Sequence, residues 1–311
     1  MGIRGSTGRS TINRKKDIPW GDILGWGLTG GFTIGTLAAL IHGARRDDDD
    51  RLQRCELYYE GNIPGYETIQ GPSYPVFVQT PDGAEAICEV PSIWFQSKDL
   101  ERKYAYDLAR NAGLPPGGAL LAMAHHMKAG SHTVGSRAPM RGMNLWGVKG
   151  GGSWWSNGNP VYIRPTKEYS AKQDARIVVQ EAKWRYFDTP EDAAESFLQI
   201  MHQWPKARKL LYTKQPNPYE YAWYLHFDHA THGHSYGTGM NDVAKGGIWG
   251  WARGVATQMR YGAKMLMEDF GYNGLDWALA IPTITKEDAY ELSISPIYGN
   301  NRGPYPLLGY P

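Results

Sequence analysis

The first long feature of the hydrophobic pattern is an uncharged run from Ile23 to Ala44, containing ILGWGLTGGFTIGTLAALI. Spanning a bilayer takes about 20 apolar residues, so the run predicts a transmembrane helix over 23–44. Gly27, Gly31 and Gly35 recur every fourth residue, which lays a smooth ridge along such a helix and lets a second helix approach closely. Arg4, Arg9, Arg14, Lys15 and Lys16 precede the run, and Asp47 to Asp50 follow Arg45 and Arg46. By the positive-inside rule the N-terminus then faces the cytoplasm. Two other readings compete. One is a glycine-rich buried helix, and the other a cleaved signal, against which His42 occupies the −3 place before Ala44 where a small residue is wanted.

Beyond the charged flank the pattern changes to short β-branched and aromatic runs. CELYY, YPVFVQ and AICEV, with a turn at Pro81 to Gly83, predict strands within 51–98. Helical periodicity follows over 99–112 and 117–129, then a glycine-rich loop and further strands. Thr189-Pro190-Glu191-Asp192 has an N-cap residue, a proline at the first helical position and acids in the first turn, which predicts a helix start. More helices are expected at 205–213, 217–226 and roughly 240–269. The prolines of the last segment predict an extended arm. The division is thus a basic tail over 1–22, a membrane helix over 23–44, a β-rich segment over 45–98, a domain over 99–270 and an arm over 271–311. The fold class is α+β, mainly α.

Composition narrows the partners. With 311 residues, 41% hydrophobic and 21% charged, the chain can bury a core. A net charge of +2 argues against a nucleic-acid partner. Cys55 and Cys88 are too few for a disulfide scaffold; they either form one disulfide or stay as buried thiols. No P-loop, dinucleotide fingerprint or Ser-His-Asp motif occurs, and no cofactor is expected. His226, Asp228, His229, His232 and His234 are zinc-ligand types within nine residues, so one loop could hold a metal, although a hydrogen-bonded loop fits them equally and no metal is assigned. Trp154 and Trp155 either stack on sugar faces or pack the loop at a subunit contact.

Three blocks, in order, carry a resemblance. They are Asn144-Leu145-Trp146-Gly147-Val148-Lys149; Thr166-Lys167-Glu168-Tyr169 with Trp184-Arg185-Tyr186-Phe187-Asp188-Thr189; and Ser235-Tyr236-Gly237-Thr238-Gly239. Over about 105–255 they resemble glycoside hydrolase family 73, the peptidoglycan N-acetylglucosaminidases of autolysins and the flagellar-rod enzyme. The resemblance implies a lysozyme-like helical domain with a small β-hairpin. It also implies catalytic roles for Glu168 and Tyr236 and a substrate groove lined by Lys128, Asn144 and Trp146, to which the sugar-stacking reading of the glycine-rich loop adds Trp154 and Trp155.

The family's chemistry needs a carboxylic acid to protonate the glycosidic oxygen. The family carries that acid near the end of the helix before the first block, which here reads Ala122-Met123-Ala124-His125-His126-Met127-Lys128. Neither Asp nor Glu occurs between Asp107 and Glu168, whereas Arg110, Lys128, Arg137, Arg141, Lys149, Arg164 and Lys167 do. The expectation is a membrane-anchored or phage-virion-associated protein that binds peptidoglycan or builds an assembly on a glucosaminidase-like fold without its acid. It would sit in the membrane as a single pass with its C-terminal domain outside the cytoplasm, or in a virion entry apparatus, as an oligomer or part of a larger assembly. The alternative is an active glucosaminidase with a displaced acid.

Overall fold

A computed structural model of the chain describes residues 68–70, 74–79, 85–90, 93–95, 97–129, 144–169, 177–187, 189–228, 240 and 243–295. Four short strands come first: β1 (Thr68–Gln70), β2 (Tyr74–Gln79), β3 (Glu85–Val90) and β4 (Ile93–Phe95). Helices α1 (Lys98–Asn111) and α2 (Pro116–Ala129) follow, then the one-turn helix α3 (Ser153–Ser156) and the hairpin β5 (Val161–Tyr169) and β6 (Ile177–Arg185). The rest is helical: α4 (Pro190–Ile200), α5 (Pro205–Leu211), α6 (Pro218–Phe227), α7 (Gly247–Phe270) and α8 (Lys286–Ile294), joined by short 3-10 turns. The described part is mostly helical.

Strands β1 and β4 pair antiparallel, and a second sheet runs β3-β2-β5-β6. Val78 faces Tyr162 and Gln79 faces Val161, so the segment before residue 98 and the later hairpin share one sheet. The 148–150 stretch lies along β6, with Gly150 N–H donating to Lys183 O at 2.8 Å and Arg185 N–H to Val148 O at 3.0 Å.

Local signals explain the helix starts. Ser97 Oγ accepts from Leu100 N, Thr189 Oγ1 from Asp192 N, and Asn217 Oδ1 from Tyr219 N and Glu220 N, each satisfying amides that the helix itself leaves open. Helix α2 is apolar on nearly every side, as a helix surrounded by others must be; Ala119 to Ala124 are all fully buried. It packs against α1, α5 and α7. Gly117 and Gly118 make the approach to α5 possible, because a Cβ on them would lie 1.9 Å from Lys214 O and 1.6 Å from Leu211 O.

Two expectations are corrected. The long helix begins at Gly247 rather than near 240, because residues 243–245 form a 3-10 turn and Gly246 and Gly247 take φ of 85° and 53°. Residues 271–294 are not an extended arm. They hold a 3-10 turn over Asp276–Ala280 and helix α8, whose Thr285 and Asp288 form a reciprocal capping box. Ala278, Ile281 and Ala289 are buried, so this segment completes the core over α7; the prolines that suggested an arm are concentrated after Ser295. Among the described residues no helix is long and apolar enough to cross a membrane. The expected span over 23–44 and Cys55 lie outside those residues.

Candidate functional site

The end of α2, where the resemblance calls for an acid, reads His125-His126-Met127-Lys128 and carries no carboxylate. His125 is fully buried, with Nδ1 2.7 Å from Tyr221 Oη and its ring edge-on to Phe197 and Trp251. Burial, and then the neighbouring His126, hold its pKa down to about 3. His126 Nδ1 lies 2.6 Å from Leu145 O and Nε2 lies 3.1 Å from Glu101 Oε1. Since a carbonyl can only accept, Nδ1 carries a proton, and the Glu101–His126 contact shares one more. Glu101 reaches α2 from the first turn of α1 and is 4% exposed, so its carboxylate is committed to His126 and shielded from a polymeric substrate.

Lys128 is half-buried on the last turn of α2. It rests on α7 at Gly254, where an added Cβ would meet its Cδ and Cε at 2.7 Å and Nζ at 3.2 Å. Burial first, then the charges of Arg253 and Lys245, hold its ammonium below the ordinary lysine value. The helix end is therefore a cationic place.

Asn144 and Trp146, expected in a groove, are core residues: each is 1% exposed. Asn144 Nδ2 donates to Val148 O at 2.8 Å and Arg185 O at 3.1 Å, while Oδ1 accepts from Val148 N at 2.8 Å. The amide thus welds the 144–148 turn to β6. Trp146 stacks on Phe197 at 5.0 Å between centroids, and its Nε1–H donates to Ala122 O at 3.0 Å. Leu145 and Val148 are buried beside them, so these four side chains face inward, and the polar atoms of Asn144 and Trp146 close on backbone, while Lys149 at the end of the block is exposed.

The two tryptophans of the glycine-rich loop divide in role. Trp154 is anchored: Nε1–H donates to Pro160 O at 2.9 Å, the Arg185 guanidinium lies 4.5 Å above the ring, and Phe187 meets its edge. Arg185 itself is buried and donates to Ser196 Oγ at 2.6 Å and to Lys149 O at 3.3 Å. Trp155 is half-buried, with Lys183 Nζ 3.5 Å from its ring centroid, and is flanked by exposed Ser153, Ser156, Asn157 and Gly158. Trp155 and Lys183 form a basic, aromatic ledge at the hairpin, while the exposed Lys149 has its Nζ 5.8 Å from the Trp184 ring.

Glu168 lies on β5 opposite Val178, and Tyr236 lies outside the described residues. Of the histidine-rich stretch, His229, His232 and His234 also lie outside. His226 is edge-on to Phe227, and burial lowers its pKa to about 4. Asp228 accepts from Lys206 N at 3.2 Å and pairs with Lys206 Nζ at 3.3 Å, which commits it to the start of α5. Among the described residues no group of three or more His, Cys, Asp or Glu is placed to hold a metal ion.

Sequence reasoning missed Glu101, Arg185, Lys245 and Arg253. The signal for Glu101 was available as an acid in the first turn of an amphipathic helix, but nothing local says that it turns inward to meet His126. Arg185 lay within the Trp-Arg-Tyr-Phe block, whose aromatic neighbours are what a buried guanidinium stacks on.

No family model matches the sequence, and no curated protein matches it. Among solved structures, a peptidoglycan hydrolase mutant from Sphingomonas sp. A1 aligns with a TM-score of 0.38 at 18% identity, over 53% of this chain and 98% of that one. That likeness is too distant to assign a fold or an activity.

Proposed function

We propose that the chain is a peptidoglycan-binding protein on a lysozyme-like helical fold that lacks glucosaminidase catalysis, and that it acts as an anchored or structural component of a larger assembly. The observation that carries the reading is the end of α2. Met127 and Lys128 stand where the resembled enzymes place their acid, burial and then the charges of Arg253 and Lys245 hold the Lys128 ammonium below its ordinary value, and Glu101, whose carboxylate reaches α2, is buried on His126. The resembled chemistry uses a carboxylic acid to protonate the glycosidic oxygen, and neither Met127 nor Lys128 supplies one. The Trp155 and Lys183 ledge supports binding, since an indole face suits a sugar ring and the ammonium suits the carboxylates of wall peptides.

In this reading residues 23–44 anchor the chain in a membrane, 45–98 and 99–270 face the wall, and the assembly is oligomeric through the Gly27, Gly31 and Gly35 ridge. A zymogram on cell-wall sacculi with full-length protein, run beside a sacculus pull-down, tests it. The expected result is retention on sacculi without clearing. Clearing comparable to an active glucosaminidase returns the alternative, in which an acid elsewhere, Glu168 with Tyr236, does the chemistry.

A further inference from the structure

Helices α5 and α8 each show one exposed stripe to solvent, and the two stripes are opposite in charge. On α5, Ala207 and Leu211 are buried, which leaves Lys206, Lys209 and Tyr212 on the far side. On α8, Ala289 and Ser293 are buried, and Glu287, Tyr290, Glu291 and Ile294 are exposed at the i, i+3, i+4, i+7 spacing with which a helix meets a partner. Tyr212, Tyr290 and Ile294 are three of the five large hydrophobic side chains exposed among the described residues. Residues 202–217 hold Lys206, Arg208, Lys209 and Lys214 and no acid, whereas α8 holds Glu287, Asp288 and Glu291 against Lys286. Helix α5 rests on α2 and α6, and α8 on α7 and the turn over Val243–Lys245, so each stripe has its own support.

We propose that the α5 stripe of one copy of this chain docks on the α8 stripe of a second copy. The lengths match: Lys206 to Tyr212 covers about 9 Å and Glu287 to Ile294 about 10 Å, at the helical rise of about 1.5 Å per residue. Lys206 shares its charge with Asp228, 3.3 Å away, which makes Lys209 the leading cation for Glu287 and Glu291. Tyr212, with the Arg208 guanidinium 5.2 Å from its ring centroid, meets Tyr290 and Ile294, so the same contact covers the apolar groups of both stripes. Like charges forbid α5 on α5 and α8 on α8, so the pairing joins unlike surfaces and copies add head to tail. Two short stripes bury less than the roughly 1,200 Å² of a stable interface, so the association is weak and concentration-dependent. The inference rests on the proposed assembly role and names the surfaces that meet.

The test is sedimentation velocity of full-length protein in neutral detergent at increasing concentration. The parent carries Gly31→Leu, which removes the ridge contact between membrane helices, and Lys209→Glu, Glu291→Lys and both together are added to it. Lys209 and Glu291 are exposed, so their reversal leaves the fold intact. The parent should associate reversibly and less at high salt, and each single reversal should weaken association about fivefold or more. The double variant exchanges the signs and should recover the parent's association. No association by the parent, single reversals without effect, or a double variant no better than the singles overturns the docking. Weakening by Glu291→Lys alone overturns it too, since α8 then meets another occupant. If the parent stays monomeric while the chain with Gly31 intact associates, this contact falls and the assembly role stands.

Discussion

Lowering the pH should unfold this protein through His125 by an amount that can be isolated. The ring is fully buried among Phe197, Trp251 and Tyr221, and its pKa is held down to about 3 by burial and by His126. An unfolded histidine titrates near 6.5, so the native state keeps the neutral ring while the unfolded chain takes up a proton first. Stability from this group is whole above about pH 6.5 and falls as pH drops toward the folded value. Each unit below about 6.5 costs about 1.4 kcal/mol, so going from pH 7 to pH 5 removes about 2 kcal/mol. His226, lowered to about 4, pushes the same way but is partly exposed and contributes less. The perturbation is therefore a difference: urea unfolding of wild type and His125→Gln at pH 7 and pH 5, followed by tryptophan fluorescence. The glutamine keeps a polar atom for Tyr221 and does not titrate, so wild type should lose about 2 kcal/mol more than the variant between the two pH values. Equal losses would refute a neutral, buried His125 as a source of acid sensitivity.

The helix-packing account predicts opposite tolerances at two glycines. Gly118→Ala drives a Cβ into Leu211 O, a backbone atom, and should cost about 3 kcal/mol or more, whereas Gly262→Ala meets the flexible end of Met123 and should cost about 1 kcal/mol; thermal melts of both decide. The loop tryptophans should separate binding from stability. Trp154→Ala should lower stability by about 2 kcal/mol with the loss of its anchoring contacts, while Trp155→Ala should leave the melting temperature nearly unchanged and cut sacculus retention severalfold.

Most helix positions were legible because their signals are local. Thr189 with Pro190, and the apolar run of α2 after Pro115 and Pro116, start helices by chemistry within a few residues. Helix α8 is a short helix whose Thr285 and Asp288 spell a capping box, a signal that the prolines after Ser295 outweigh in the pattern of the C-terminal stretch. The site was less legible. Asn144 and Trp146 form a motif whose residue types suit a sugar groove, and only the pairing of 148–150 with β6 turns them inward. Glu101 with His126, and Lys128 with Lys245 and Arg253, join residues from separate helices and turns, and periodicity carries no information about such meetings. The charge of Lys128 was readable, but the cations that help lower its pKa come from α7 and the turn before it.

If the chain holds the wall without cutting it, as proposed, one measurement bears on both halves. Full-length protein is incubated with purified sacculi, the bound fraction is determined by sedimentation, and the supernatant is assayed for new reducing N-acetylglucosamine ends. The account predicts substantial sedimentation with release no greater than the protein-free control, because the end of α2 offers Met127 and Lys128 in place of an acid. Steady release of reducing ends, in proportion to protein added, would contradict it.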